Sequence, residues 1–266
     1  LSIDEYSDCK FGRIFEQHRS SLLAISEEGQ HSLIMPSANI RVCVGDWVLF
    51  DESDRLIRVL ERQSLFQRKA PGSKVTTQFI AANVDSLMIV CSLNNDFNLN
   101  RIERYLAIAK EAQVEPIVVL TKADQCNDVD VKQQQVQKLD PLMMVHALNA
   151  LEPNELTLLT TYCKTGNTIA FLGSSGVGKS TLVNGLLGYQ ALDTGIIRED
   201  DSKGRHTTTF RALKVLPQGG LLMDTPGMRE LQLAECEQGV NETFSEIVGL
   251  AKQCRFSDCR HESEPH

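Results

Sequence analysis

TIAFLGSSGVGKST, residues 168–181, decides the fold. Its opening, Thr168 to Leu172, is a short apolar strand. The next residues, Gly173-Ser174-Ser175-Gly176-Val177-Gly178-Lys179-Ser180, fit the spacing G-x-x-x-x-G-K-S/T, and Thr181 carries the chain into a helix expected from Ser180 to Leu187. Strand, glycine-rich turn and helix in that order build a phosphate cradle. The glycines let successive backbone N–H groups turn inward at the helix N-terminus, Lys179 reaches the β- and γ-phosphates, and Ser180 offers its hydroxyl to Mg²⁺. Such a loop belongs to an α/β fold whose ligands sit at the C-terminal ends of parallel strands.

Working upstream, Val84 to Cys91 and Pro116 to Leu120 read as buried strands. Between them Asn100 can cap a helix whose apolar positions Ile102, Tyr105, Leu106 and Ala109 recur at i, i+3, i+4 and i+7. This is a βαβ unit, and with the strands at Thr168 to Leu172 and Gly220 to Met223 it extends into a doubly wound sheet. Thr121-Lys122-Ala123-Asp124 follows the strand ending at Leu120, where a short carboxylate can accept paired hydrogen bonds from a guanine ring N–H and exocyclic amine. The motif resembles the N/T-K-x-D signature of GTPases, which gives Asp124 the base and lays the Lys122 stem along it. Alone, a Lys and an Asp in such a loop read equally well as solvated turn residues.

Downstream, Asp224-Thr225-Pro226-Gly227 follows the last strand and matches D-x-x-G, whose Asp helps hold Mg²⁺ through water and whose Gly N–H senses the γ-phosphate; otherwise it is a Pro-Gly turn. Gly204-Arg205-His206-Thr207-Thr208-Thr209 lies between, where a switch segment donates a threonine to Mg²⁺, here expected to be Thr208. Val145-His146-Ala147-Leu148 reads as a degenerate version of the loop that backs the guanine. Ordinary GTPases put the base motif last. Here it comes first, so the same sheet is expected to be rewired by circular permutation.

The flanks carry other rhythms. Leu22 to Ile25, Ser32 to Met35, Arg41 to Val44, Trp47 to Phe50 and Leu56 to Leu60 read as short strands of a small closed barrel, of which the OB-fold is the nucleic-acid-binding version and a protein-binding barrel the alternative. Gln63 to Gln78 is polar, locally basic and read as connector. After Leu233 the chain turns acidic and helical, with Phe244, Ile247, Val248 and Ala251 on one face. The whole is multidomain α/β: a barrel over 1–70, a linker over 71–78, the permuted phosphate-binding domain over 79–232 and a C-terminal unit over 233–266.

A net charge of −8 argues against a protein that coats nucleic acid electrostatically, no DNA partner is expected, and composition alone does not suggest a ribosomal one. No apolar run nears the roughly 20 residues that span a bilayer. The eight cysteines are scattered in apolar stretches, which suits a reducing compartment, so the chain is expected to be cytosolic, membrane-free and monomeric.

The permuted motif order, the barrel, Ala81-Ala82-Asn83-Val84-Asp85, Gly204 to Thr209 and a Cys/His tail together resemble the bacterial small-ribosomal-subunit-dependent GTPase A family over nearly the whole chain. The resemblance implies GTP as substrate, Mg²⁺ held through Ser180 and Thr208, and stimulation by the 30S subunit, with barrel and tail contacting 16S rRNA and protein. It also implies one Zn²⁺ on Cys254, Cys259 and His261; the family's fourth ligand is a Cys one position beyond His266, so the tail is truncated or His266 substitutes. Met228 follows Gly227 where many GTPases carry glutamine, which predicts slow intrinsic turnover, with His206 the candidate to hold the attacking water. Another P-loop NTPase, or a GTP-binding module with a non-ribosomal partner, is the rival reading.

Overall fold

The computed structural model describes residues 9–18, 21–34, 40–69, 77–94, 96–189 and 211–224. Five strands open the chain: β1 (Lys10–Gln17), β2 (Ser21–Ser26), β3 (Gly29–Ile34), β4 (Trp47–Phe50) and β5 (Leu56–Val59). β1 pairs antiparallel with both β2 and β4, β2 with β3, and β4 with β5. A parallel bridge from Ile34 to Arg55 joins β3 to the start of β5 and closes the ring β1-β2-β3-β5-β4-β1. Inside it lie Ile14, Leu22, Ala24, Leu33, Val42, Val48 and Phe50.

The sequence pattern missed β1 and misplaced a strand. In Lys10–Gln17 both faces are apolar, because Ile14 points into the ring while Phe15 packs on the main core, so no alternation shows. Arg41 to Val44, expected as a strand, forms none; only Val44 makes an isolated bridge, to Ala81. There the Asp46 carboxylate accepts the Cys43 N–H at 2.8 Å and pulls the backbone into a turn.

The stretch read as connector holds a hairpin. β6 (Leu65–Lys69) and β7 (Thr77–Ala82) pair antiparallel, with Phe66 and Ile80 buried in the main core and Gln67 and Arg68 facing outward or half-buried. Burial in β7 runs from half-buried to buried without alternating, and the polar Gln67 and Arg68 beside the buried Phe66 concealed β6, so no clean period marks the pair.

Beyond it run β8 (Ser86–Ser92), α1 (Leu99–Glu111), β9 (Glu115–Thr121), α2 (Val129–Gln137), β10 (Met144–Ala147), α3 (Pro153–Thr160), β11 (Thr168–Leu172), α4 (Lys179–Leu187), β12 (Arg211–Val215) and β13 (Leu221–Asp224). Asn98, rather than Asn100, caps α1 by accepting the Arg101 N–H. The strands lie in the order β10-β9-β8-β11-β13-β12, all parallel except β12. Ile102 and Leu106 of α1 and Val136 of α2 cover one face; Leu156 and Leu159 of α3 and Leu182 and Leu186 of α4 cover the other. This is the doubly wound sheet the motifs require.

The sheet does not stop at β12. Glu16 and Gln17 of β1 pair with Ala212 and Arg211, while Lys10 to Arg13 pair with β4, so one strand belongs to the ring and to the large sheet at once. A register shift between Ile14 and Glu16 lets β1 turn from one to the other. Among the described residues no helix is long and apolar enough to cross a membrane.

Candidate nucleotide site

β8, β9 and β11 end side by side, and the loops that leave them are bonded to one another. The loop after β11 begins at Gly173, where a Cβ would sit 2.4 Å from Val90 O, so only glycine lets this backbone pass β8. Gly178 caps α4 in the left-handed region, at φ +97. The first N–H groups of α4 therefore open toward the loop, with Ser180 and Thr181 half-buried in its first turn. Lys179 Nζ donates to Gly173 O at 2.6 Å and also to Ser174 O, which holds the ammonium over the loop where phosphate oxygens would compete for its protons.

The base motif is tied to that cradle. Thr121, with no solvent exposure, donates its hydroxyl to Val177 O at 2.6 Å. Lys122 takes a left-handed conformation, φ 58, and its Nζ reaches Gly176 O at 3.0 Å. The next residues form a 3-10 turn over Ala123–Gln125 that leaves Asp124 exposed, its carboxylate without an ion pair among the described residues. Ala123 N donates to Leu148 O, so the loop after β10 backs this turn. The His146 imidazole lies 3.0 Å from the Tyr162 hydroxyl, and burial pushes its pKa down.

Several residues that brace the base loop were not singled out in the sequence. Lys132 of α2 pairs with Asp128 at 3.1 Å, donates to Leu93 O and lies 5.6 Å from the Phe97 ring centroid. The Asp128 hydrogen bond raises the Lys132 pKa, which keeps the ammonium charged. The i,i+4 spacing of Asp128 and Lys132 was the available signal. Leu93 N donates to Thr121 O at 2.9 Å, which joins the loop after β8 to the same cluster.

The structure thus brings Thr121, Lys122, Ala123 and Asp124 to the loop Gly173 to Gly178 and to Lys179, Ser180 and Thr181. Asp224 ends β13, next to β11, its neighbour Met223 in register with Ala170. His206, Thr208, Gly227, Cys254, Cys259 and His261 lie outside the described residues. Two ammonium groups and a helix N-terminus around one glycine loop suit a polyphosphate, and a free carboxylate beside them suits a base with paired N–H donors. The Ser180 hydroxyl, a hard oxygen at the head of α4, fits a magnesium ion shared with that polyphosphate.

The pattern of the family described as RsgA GTPase matches residues 59–234. The "Small ribosomal subunit biogenesis GTPase RsgA 2" of Vibrio parahaemolyticus is 56% identical over 265 residues, covering 100% of this chain and 74% of that protein. The "Small ribosomal subunit biogenesis GTPase RsgA" of Xylella fastidiosa is 44% identical over 271 residues, covering 98% and 79%. Among solved structures, YjeQ from Thermotoga maritima superposes with a TM-score of 0.68 at 24% identity, covering 97% of this chain and 88% of that one. YloQ, described as a circularly permuted GTPase, gives 0.65 at 22%, covering 97% and 85%. At such identities the two structures speak for the fold alone.

Proposed function

The chain belongs to the RsgA GTPase family, and from that premise we propose that it hydrolyses GTP to GDP and phosphate in late maturation of the small ribosomal subunit, stimulated by the 30S particle. The observation that carries the site is the Thr121 hydroxyl on Val177 O at 2.6 Å, which sets the base loop at a fixed distance from the phosphate loop. A nucleotide held at both ends is selected by its base.

In this reading Asp124 accepts the guanine N–H pair, Lys122 lies along the base, and the N–H groups from Gly173 to Gly178 with Lys179 hold the β- and γ-phosphates. Ser180 and Thr208 would hold Mg²⁺, with Asp224 acting through water, and the ion would supply charge neutralisation at the phosphoryl oxygens. Water attacks the γ-phosphorus in line, the bond to the β–γ bridging oxygen breaks, and GDP leaves with the electron pair. Gly227 matches the glycine of D-x-x-G, whose N–H would sense the γ-phosphate. Met228 has no group that can orient water, so intrinsic turnover is slow; His206, or the ribosome, supplies that function.

The ring order β1-β2-β3-β5-β4, with β3 and β5 parallel, supports an OB-fold reading of the barrel and, through it, contact with 16S rRNA. Two thiolates and an imidazole at Cys254, Cys259 and His261 suit tetrahedral zinc in a C-terminal unit over 233–266. With the barrel at 1–70, linker at 71–78 and GTPase domain at 79–232, the chain works as a cytoplasmic monomer on the small subunit.

Hydrolysis of GTP and ATP, each with and without purified 30S subunits, tests the proposal. GTP-selective turnover that rises with 30S is expected. Equal use of ATP would sink the base assignment, and GTP turnover indifferent to 30S would point to a different partner.

A further inference from the structure

We propose that Arg13 is a positioning residue: its buried guanidinium fixes the barrel at one angle to the nucleotide sheet, so that a partner docked on the barrel meets the bound nucleotide in a set register. This rests on the ribosomal reading above and deepens it.

Arg13 is 7% exposed, and its three described hydrogen bonds go to three separate parts of the chain. Nε donates to Gly45 O in the barrel at 3.2 Å, Nη2 to Asn83 O in the turn between β7 and β8 at 2.6 Å, and Nη1 to Thr168 Oγ1 at the head of β11 at 2.8 Å. All are neutral oxygens. Burial pulls the guanidinium pKa down, and Asp85 and Asp46 oppose that only through space. A cation buried against neutral acceptors is a poor source of stability, whereas the planar fork of donors is well suited to fixing the angles between the groups it touches.

Each acceptor is itself held. Thr168 donates its N–H to Asp85 Oδ2 at 2.7 Å and accepts the Asp85 N–H at 2.8 Å. Asn83, left-handed at φ 53, donates its side-chain amide to Gly45 O and accepts the Gln63 N–H. At Gly45, φ +93, a Cβ would lie 2.0 Å from Ala82 O and 3.0 Å from Met223 Cε, so barrel, β7 and β13 meet without a gap. Besides this junction, β-pairing of the ring to the large sheet among the described residues is Glu16↔Ala212 and Gln17↔Arg211. To these pairs the junction adds a planar fork of donors, which fixes the angle between the groups it touches. Thr168 opens β11, whose five residues, about 17 Å of strand, lead to Gly173. A small tilt at Thr168 therefore displaces the nucleotide relative to anything bound to the barrel.

The test uses the full chain with Thr168→Val, which removes the acceptor while keeping the β-branched shape, and Thr168→Ser, which restores it. Expected for the Val variant are intrinsic turnover, GDP affinity and 30S affinity near wild type, faster hydrogen exchange at residues 44–46 and 82–85, and a kcat at saturating 30S lower by about tenfold or more. The Ser variant should recover that kcat. A stimulated kcat equal to wild type, or a loss explained by weaker GDP binding, overturns the proposal. A wild-type chain that 30S does not stimulate removes the ribosomal reading instead, and the two failures are thereby distinguished. Should Thr168→Val fail to fold, Arg13→Lys, which keeps the charge but not the fork, gives the same readout.

Discussion

Thr121 has its side chain sealed from solvent, and its hydroxyl proton goes to Val177 O at 2.6 Å, with Cys91 O at 3.5 Å as a second neighbour. Replacing it with Val keeps the shape and leaves a buried carbonyl without its donor, which costs about 1 to 3 kcal/mol. Because that carbonyl belongs to the phosphate loop, the cost falls on the nucleotide-competent arrangement. Thr121→Val is expected to weaken GDP binding about tenfold, and Thr121→Ser to restore most of it, as read by fluorescent-nucleotide titration; equal affinity in the Val variant would remove the threonine from the site. The motif made Thr121 legible in the sequence as the start of a base loop, yet its partner was not. A carbonyl 56 residues away carries no side-chain signature, so nothing in the letters pairs Thr121 with Val177. Lys132 and Phe97 were hidden for a related reason, since an α2 lysine and a loop phenylalanine look like surface and core until the fold stacks them.

Strand, loop and helix around residues 168–187 form one device, and its two tight glycines are not equivalent. At Gly173 an added Cβ meets backbone, Val90 O at 2.4 Å, with φ +155 as a second obstacle, whereas at Gly185 inside α4 it meets Leu156 Cδ1 at 2.3 Å, the far end of a flexible side chain. Backbone does not yield, and a leucine methyl does. Gly173→Ala should therefore abolish measurable nucleotide binding. Gly185→Ala should gain up to about 1 kcal/mol of helix propensity against the cost of moving Leu156, for a net shift within a few degrees of melting temperature. Calorimetry with and without GDP separates the two; tight GDP binding by Gly173→Ala would show that the loop can open away from β8. At this scale the parallel strands were legible because burial on both faces gives continuous apolar runs such as Ile117 to Leu120. β1 and the hairpin of β6 and β7 were not, since their side chains face two different cores or a core and a basic surface, and neither case leaves a clean period.

The permuted order of the motifs was visible as soon as the base loop was found ahead of the phosphate loop, because each motif is local. How the barrel joins the sheet was not visible, since β1 meets β12 through backbone pairs nearly two hundred residues apart, Glu16 with Ala212 and Gln17 with Arg211. That union has a consequence for the whole molecule. Deleting residues 1–60 would strip the β1 edge from β12, take Phe15 off the main core, and remove Gly45 and Arg13 from Asn83 and Thr168. Each buried polar group left unpaired costs about 1 to 3 kcal/mol, comparable in sum with the 5 to 15 kcal/mol that holds a typical domain together. The losses fall at the end of β11 opposite the phosphate loop. The truncated chain is therefore expected to melt many degrees lower or aggregate through the exposed β12 edge, and added GDP should raise its melting temperature because the nucleotide loops remain intact. Thermal melts of both forms with and without GDP decide the matter. If the truncated form melted at the temperature of the full chain, the barrel would be a tethered module rather than part of one sheet, and the register it imposes on a docked partner would have no structural basis.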